Sequence, residues 1–432
     1  MRALTPIERA VATYCVAWER SKADQAGIAM VNPETLGNAT PAEVAFRYID
    51  ISSVSHGTID WSAVQNLRFA DSPSRARRVV RHGDTMICTV RPLLGSHAHA
   101  AWMDDQPTVC STGFAVVRCA GDLAPEFLRH LPFAEQVTRQ LVAWQCGTNY
   151  PAVNERDIRQ LVIPIPSPAE QAAIARILDA VDTALERTRS VVEWARSLHH
   201  SLLHDLLEKG LDGTRANACK RAHWDVRRLD EVADVGSGVT LGKDVSGFKS
   251  IELPYLRVAN VQDGHLDLST IKIVRVRVDE VDGYRLEAGD VLMTEGGDID
   301  KLGRGTIWEG QIENCLHQNH IFRIRANRDL LEPEFFSLVV ESDIAKRYFN
   351  RVAKRTTNLA STNKTQVRAF RFPVPPTTDE QRQIVAIMKA SRGTIAGLLA
   401  KQAALSELKK SLMHDLLTGR VRVTTPANVA AS

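Results

Sequence analysis

The chain has 432 residues, 44% hydrophobic and 24% charged, an ordinary globular composition with room for two or three cored domains. The formal charge of +3 excludes a uniformly basic polyanion binder and confines any such site to a local patch. Seven cysteines without a Cys-x-x-Cys pair argue against a disulfide framework or a structural zinc site, and for a reduced, cytoplasmic protein.

In chain order, the opening Met1-Arg2-Ala3-Leu4-Thr5-Pro6 has no apolar signal core, and no apolar run reaches the roughly 20 residues of a membrane helix. Residues 46–166 read as mixed α/β. Short β-branched runs such as Thr85–Val90 and Phe114–Arg118 are broken by Gly, Asp and Asn turns, and a helix is predicted to open at Glu126.

After Pro168 no Pro or Gly occurs up to Leu207. Apolar residues at Ile174, Leu178, Val181, Leu185, Val192, Ala195, Leu202 and Leu206, with Thr188 and His199 between them, form the narrow stripe of a coiled coil. Gly210 suits a left-handed C-cap, and residues 210–222 read as a linker. Residues 223–375 repeat the α/β pattern, with a strand at His320–Arg325 and a helix opening at Glu334. A second stripe follows Pro376: Ile384, Met388, Ile395, Leu398, Leu405, Leu412 and Leu416, with polar members Ser391, Gln402 and Lys409, before Gly419. Each helix of about 40 residues spans about 60 Å and cannot hide its stripe alone, so an antiparallel pairing is predicted.

The halves are copies. Tyr48, Val54, Gly57, Asp60 and Ser62 recur in order as Tyr255, Val261, Gly264, Asp267 and Ser269. Gly83-Asp84 recurs as Gly289-Asp290, Pro164-Ile-Pro166 as Pro373-Val-Pro375, and Glu170-Gln171 as Glu380-Gln381. Leu202-Leu-His-Asp-Leu-Leu207 recurs as Leu412-Met-His-Asp-Leu-Leu417, and Glu170 to His204 is the same distance along the chain as Glu380 to His414. The unit is a domain followed by a helix, present twice. The opening Trp224-x-x-x-x-Leu229 of the second domain has no counterpart read in residues 1–45.

No catalytic constellation is read from the sequence. There is no Gly-rich cofactor loop, no (Asn/Asp)-Pro-Pro-aromatic tetrapeptide and no phosphate loop, since Ser237 stands where the leading Gly would be and Asp244 follows Gly242-Lys243. Gly297-Asp-Ile-Asp300 lacks the further ligands of a calcium loop. His200 and His204 share a helix face, but Lys410 replaces the first in the other copy, so a solvated or interface pair is the better reading than a metal site.

The Ile163-Pro-Ile-Pro-x-x-x-Glu-Gln171 run, its Phe372-Pro-Val-Pro-x-x-x-x-Glu-Gln381 copy, the helices ending in His-Asp-Leu-Leu, and the Trp224 opening resemble the specificity subunits of type I restriction–modification enzymes, over about residues 46–420. The resemblance implies DNA recognition domains at 1–166 and 223–375 and coiled-coil helices at 167–209 and 376–419, with a tail at 420–432. Each domain would read one half of a split, asymmetric double-stranded DNA site. The helices would set the spacing and dock two modification (methyltransferase) subunits, with restriction (motor-nuclease) subunits further out. S-adenosylmethionine, ATP and Mg2+ would belong to those partners. A coiled-coil adaptor with two protein- or glycan-binding modules shares this architecture without needing basic loops.

Under the DNA reading, contacts are expected on loops carried by rigid sheets. The candidates are Arg91, His97 and His99 in the first domain and the Gly296–Gly305 loop with Lys301 and Arg304 in the second, where Gly admits a phosphate and the cations supply charge. The stretch before each Pro pair adds Asn149 and Tyr150, and Lys354, Arg355, Thr357 and Asn358. The Arg75, Arg77 and Arg78 cluster reads as a solvated face.

Overall fold

The structure, a computed structural model, describes residues 5, 12, 18–25, 28–147, 149–211, 224–298, 302–355 and 359–423. The chain divides into two compact units, residues 1–189 with 400–432, and residues 190–399. Each therefore holds one α/β domain and a half of each long helix.

In the first unit the central sheet runs Ala29–Val31, Phe114–Cys119, Thr85–Cys88, Ala98–His99, all antiparallel. Its two middle strands are buried at almost every position because both faces are covered. Met86, Phe114 and Val116 enter one core with Ile49 and Cys110, while Ile87, Ala115 and Val117 enter a second core with Phe127, Leu131 and Leu141. The period-2 geometry of a strand splits a continuous apolar run between two cores. A second sheet, ordered Gln65–Arg68, Ala45–Ile49, Thr108–Ser111, Ala76–Val80, supplies Ile49 and Cys110 to the first of them.

The second unit repeats this plan. Its central sheet runs Ala233–Ser237, Ile321–Ala326, Val291–Thr294, Gly305–Ile307, the same order of equivalent strands. Leu292 and Ile321 face one core, and Val291, Met293, Phe322 and Ile324 the other.

The long helices span Pro168–Lys209 and Thr378–Thr418, 42 and 41 residues. Pro168 is the first helical residue, where its missing N–H is harmless, whereas Pro376 lies two residues before the second helix. Gly210 (φ 66°) and Gly419 (φ 71°) are left-handed, as C-caps require. In the first unit Ile174 and Leu178 share a core with Met413, Leu416 and Leu417, and Lys409 pairs with Asp182 at 2.6 Å. In the second, Leu203, Leu206 and Leu207 share a core with Ile384, Val385 and Met388, and His199 Nδ1 lies 3.0 Å from Ser391 Oγ. Early residues of one helix meet late residues of the other in both units, which is antiparallel packing. Most polar members of the stripe take partners: His199 with Ser391, Lys409 with Asp182, and Thr188 with the Ala184 carbonyl.

One sequence expectation is refined and another corrected. The helix at Glu126 is a single turn, Pro125–Leu128, and gives way to a 3-10 turn at Leu131–Phe133, whereas its counterpart runs through Pro333–Glu341. Pro132 interrupts the first because it has no N–H to continue the ladder. The first domain also does have the opening strand of the second. Glu19–Lys22 pairs antiparallel with Val162–Ile165, as Asp225–Arg228 pairs with Arg371–Val374. Trp18 precedes the one and Trp224 the other; Ala23 N–H donates to Leu161 O and Leu229 N–H to Phe370 O, both at 2.8 Å. Ala23 stands where the second domain has Leu, which hid the match. Both exit strands carry a Pro, tolerated because a two-stranded ribbon leaves one edge free.

Candidate nucleic-acid interface

The residues that recur most faithfully between the halves are internal struts. Asp84 is fully buried and takes Arg118 through two bonds of 2.8 Å; Asp290 takes Arg325 through two of 2.8 Å. Each also accepts a backbone N–H, from Arg81 and from Glu287. The carboxylates raise the pKa of both guanidiniums further above its ordinary range. Gln171 bridges the Ala124 N–H and the Asp122 carbonyl, and Gln381 the Glu332 N–H and the Leu330 carbonyl, clamping each helix start to the turn ahead of Pro125 or Pro333. Asp60 and Asp267 cap turns through the N–H groups of Ser62 and Ser269. The duplicated signature thus holds the scaffold.

The two stretches singled out in each domain are neighbours. In the first, Arg91 N–H donates to Pro151 O at 2.7 Å, and Val90 and Cys146 both bridge to Ala152. Arg91 is exposed and left-handed (φ 48°, ψ 53°). Its guanidinium donates to Asn149 O at 2.8 Å and lies 4.5 Å from the ring centre of Tyr150, which is 71% exposed. Asn149 is exposed beside it. Pro92–Leu94 follows as a 3-10 turn, leaving Leu93 and Leu94 56% and 59% exposed, a feature the charge-led reading of this loop missed.

His97 is a correction. It is buried, with Nδ1 accepting the Cys88 N–H at 3.0 Å, and burial pushes its pKa down to about 4. It is a neutral core histidine with no surface for a duplex. His99 is half-buried, bonded to Thr85 Oγ1 at 3.1 Å, and is likewise pushed down to about 4 by burial, so neither ring brings positive charge at neutral pH. Arg75 and Arg78 have carboxylate partners in Asp50 and Glu155, and Arg77 lies over Phe69. Arg47 lies against Trp61 and Trp102, 5.1 and 5.5 Å from their ring centres, where the two rings meet edge to face, and is held by Asp104; nothing in the spacing of these residues pointed to that cluster.

In the second domain, Gly296–Asp298 joins Leu359–Ser361 and Lys354–Arg355 in one three-stranded antiparallel sheet. Lys354 and Arg355 are exposed on its edge strand, Arg355 donating to Asn350 O at 2.8 Å. Arg304 is half-buried and donates to Gln262 Oε1 at 2.9 Å. Lys301, Thr357 and Asn358 lie outside the described residues. Among the described residues no group of three or more His, Cys, Asp or Glu side chains is arranged to hold a metal ion, and no helix is long and apolar enough to cross a membrane. His200 pairs with Asp343 at 3.3 Å.

Comparison with known proteins identifies the scaffold. Residues 82–192 and 222–405 match the family model described as the type I restriction modification DNA specificity domain. A specificity subunit assigned to the MjaX type I restriction enzyme of Methanocaldococcus jannaschii is 29% identical over 199 residues, 45% of each chain. The EcoKI specificity subunit of Escherichia coli is 23% identical over 309 residues, 68% of this chain and 64% of that subunit. The matched stretches thus span less than two thirds of either relative's length. The solved HsdS subunit from Thermoanaerobacter tengcongensis shares the fold, with a TM-score of 0.51 and 23% identity over 94% of this chain and 98% of that one. With two tandem copies of the domain matched over more than half its length, the chain belongs to the type I restriction modification DNA specificity family.

Proposed function

We propose that the chain is the sequence-specific DNA recognition subunit of a type I restriction–modification complex, each domain reading one half of a split, asymmetric site. One observation carries the reading: in each domain the two stretches picked out for charge and amide content fold side by side, joined by isolated bridges in the first and by a three-stranded sheet in the second, on a core whose packing is otherwise duplicated. A common frame with divergent loops is what two different readers on one scaffold require. The helices space the two readers and dock two methyltransferase subunits, with motor-nuclease subunits joining them in the cytoplasm. Methylation and cleavage, with S-adenosylmethionine, ATP and Mg2+, belong to those partners.

The test is an exchange. Host-genome sequencing for methylated bases returns a bipartite motif; replacing residues 223–366 with another family member's domain then changes one half of it. Both halves unchanged, or no methylated motif dependent on this chain, refutes the reading. Co-purification of two methyltransferase copies per chain separates it from a protein- or glycan-binding adaptor.

A further inference from the structure

The tip of the first domain's loop combines features that a phosphate-binding loop does not need. Leu93 and Leu94 are adjacent and more than half exposed, although Pro92 beneath them is buried. The turn that presents them is fixed at both ends. Arg91 N–H donates to Pro151 O at 2.7 Å, Leu94 N–H to Arg91 O at 2.9 Å and Gly95 N–H to Pro92 O at 3.1 Å; His56 N–H then donates to Gly95 O at 3.0 Å. Arg91 (φ 48°) and Gly95 (φ 69°) both hold the left-handed conformation that turns the chain sharply there. For Arg91 that conformation carries strain, kept in place by surrounding bonds.

The flanks are cationic and aromatic. The Arg91 guanidinium is braced by Asn149 O and the exposed Tyr150 ring, and among the described residues no carboxylate lies in ion-pair range of it. An apolar point beside an uncompensated cation matches a polyanion with an apolar interior, which is the DNA duplex: phosphate outside, stacked bases within. Apolar side chains pushed between base steps, with cations on the adjoining phosphates, are a general means of kinking a duplex.

We propose that Leu93 and Leu94 form a wedge that enters the base stack within the first domain's half-site, with Arg91 on the adjoining phosphate. The inference rests on the DNA reading above and adds that one half of the site is recognised partly by how readily it unstacks. It is asymmetric. The equivalent stretch of the second domain, Gly296-Gly-Asp-Ile-Asp300, has no adjacent pair of apolar residues in its sequence.

The test uses the full chain with its methyltransferase subunits and its methylated target, the first domain's half being the one that exchange of 223–366 leaves unchanged. Single 2-aminopurine bases are placed at each step except the methylated one, because methyltransferases extrude their target base regardless of the wedge. The expected result is a fluorescence rise at a step in the first half only. In a Leu93→Ala/Leu94→Ala variant with an unchanged melting temperature that rise is lost, and affinity for the paired duplex falls about tenfold but is restored by a mismatch at the same step, since a mismatch has already lost its stacking. Silence at every step with the native chain, or a variant that binds paired and mismatched duplexes as the native chain does, overturns the wedge while leaving DNA recognition intact. Loss of the methyltransferase subunits from the variant in gel filtration overturns it in favour of a protein contact. A native complex that binds no duplex refutes both readings.

Discussion

The indole Nε1 of Trp18 donates to Glu170 Oε2 at 3.1 Å, tying the strand that opens the first domain to the first turn of the helix that leaves it. Trp224 and Glu380 make the same bond at 3.2 Å. The pair explains why a glutamate recurs at each helix start. It also recovers an opening strand for the first domain that the sequence pattern did not reveal.

The two glutamates differ in what else they hold. Glu170 is buried and also takes the Arg422 guanidinium through contacts of 2.6 and 2.8 Å, while Glu380 is half-buried. Glu170→Gln keeps an acceptor for the indole but loses the countercharge, and is expected to cost roughly 1–3 kcal/mol, discounted because Arg422 is partly solvated. Glu380→Gln should cost less. Urea midpoints of the two variants check the order.

Asp84→Asn and Asp290→Asn each leave a partly buried guanidinium short of the buried carboxylate that holds it through two bonds. The expected loss is about 3 kcal/mol, the low end for breaking a buried pair, because Glu34 and Glu287 remain on Arg118 and Arg325. Thermal unfolding reads it; a Glu34→Gln variant should fall well short of that loss.

Gly238 sits where the chain passes His317. A Cβ there would lie 1.9 Å from His317 O and 2.7 Å from Gln318 O, both backbone atoms that cannot swing away. Gly238→Ala is expected to destabilise by on the order of 3 kcal/mol. At Gly283, where nothing lies within 4 Å, Ala should be neutral or slightly stabilising. Denaturant titration of both variants separates the clash from the general effect of replacing glycine.

Burial pushes His97 and His317 down to about 4. Between about pH 6.5 and 4 the unfolded chain binds a proton at each position and the folded chain does not. Stability therefore falls as pH drops through that window, by up to about 1.4 kcal/mol per pH unit per histidine, and levels off below it. Urea midpoints at pH 7.5 and 5 should show the loss, and His97→Gln with His317→Gln should shrink it. An unchanged pH dependence would contradict the buried neutral state.

Lys354 and Arg355 stand exposed on an edge strand without a carboxylate partner among the described residues. If both meet phosphates, replacing them with Ala reduces the slope of log affinity against log salt by about 2 and leaves the preferred sequence unchanged. Binding titrations at several salt concentrations decide it, and an unaltered slope removes this strand from the contact set.

The sequence alone determined the duplication, the two long helices and their antiparallel pairing, because helix periodicity and repeated spacing are written in adjacent residues. It also marked the two stretches per domain that fold together. The tertiary structure decided which residues are free to act. His97 and Arg91 are six residues apart in one loop; a two-residue strand at Ala98–His99 draws the histidine ring into the core, while a left-handed backbone turns the arginine outward. The Asp84 and Glu170 carboxylates look like surface charges in a linear reading and are buried struts because their guanidinium partners arrive from distant strands and from beyond the second helix. Exposure and charge pairing depend on contacts between residues far apart in the chain, so local pattern fixes the scaffold and only the packed structure separates the residues that hold it from those left to meet a partner.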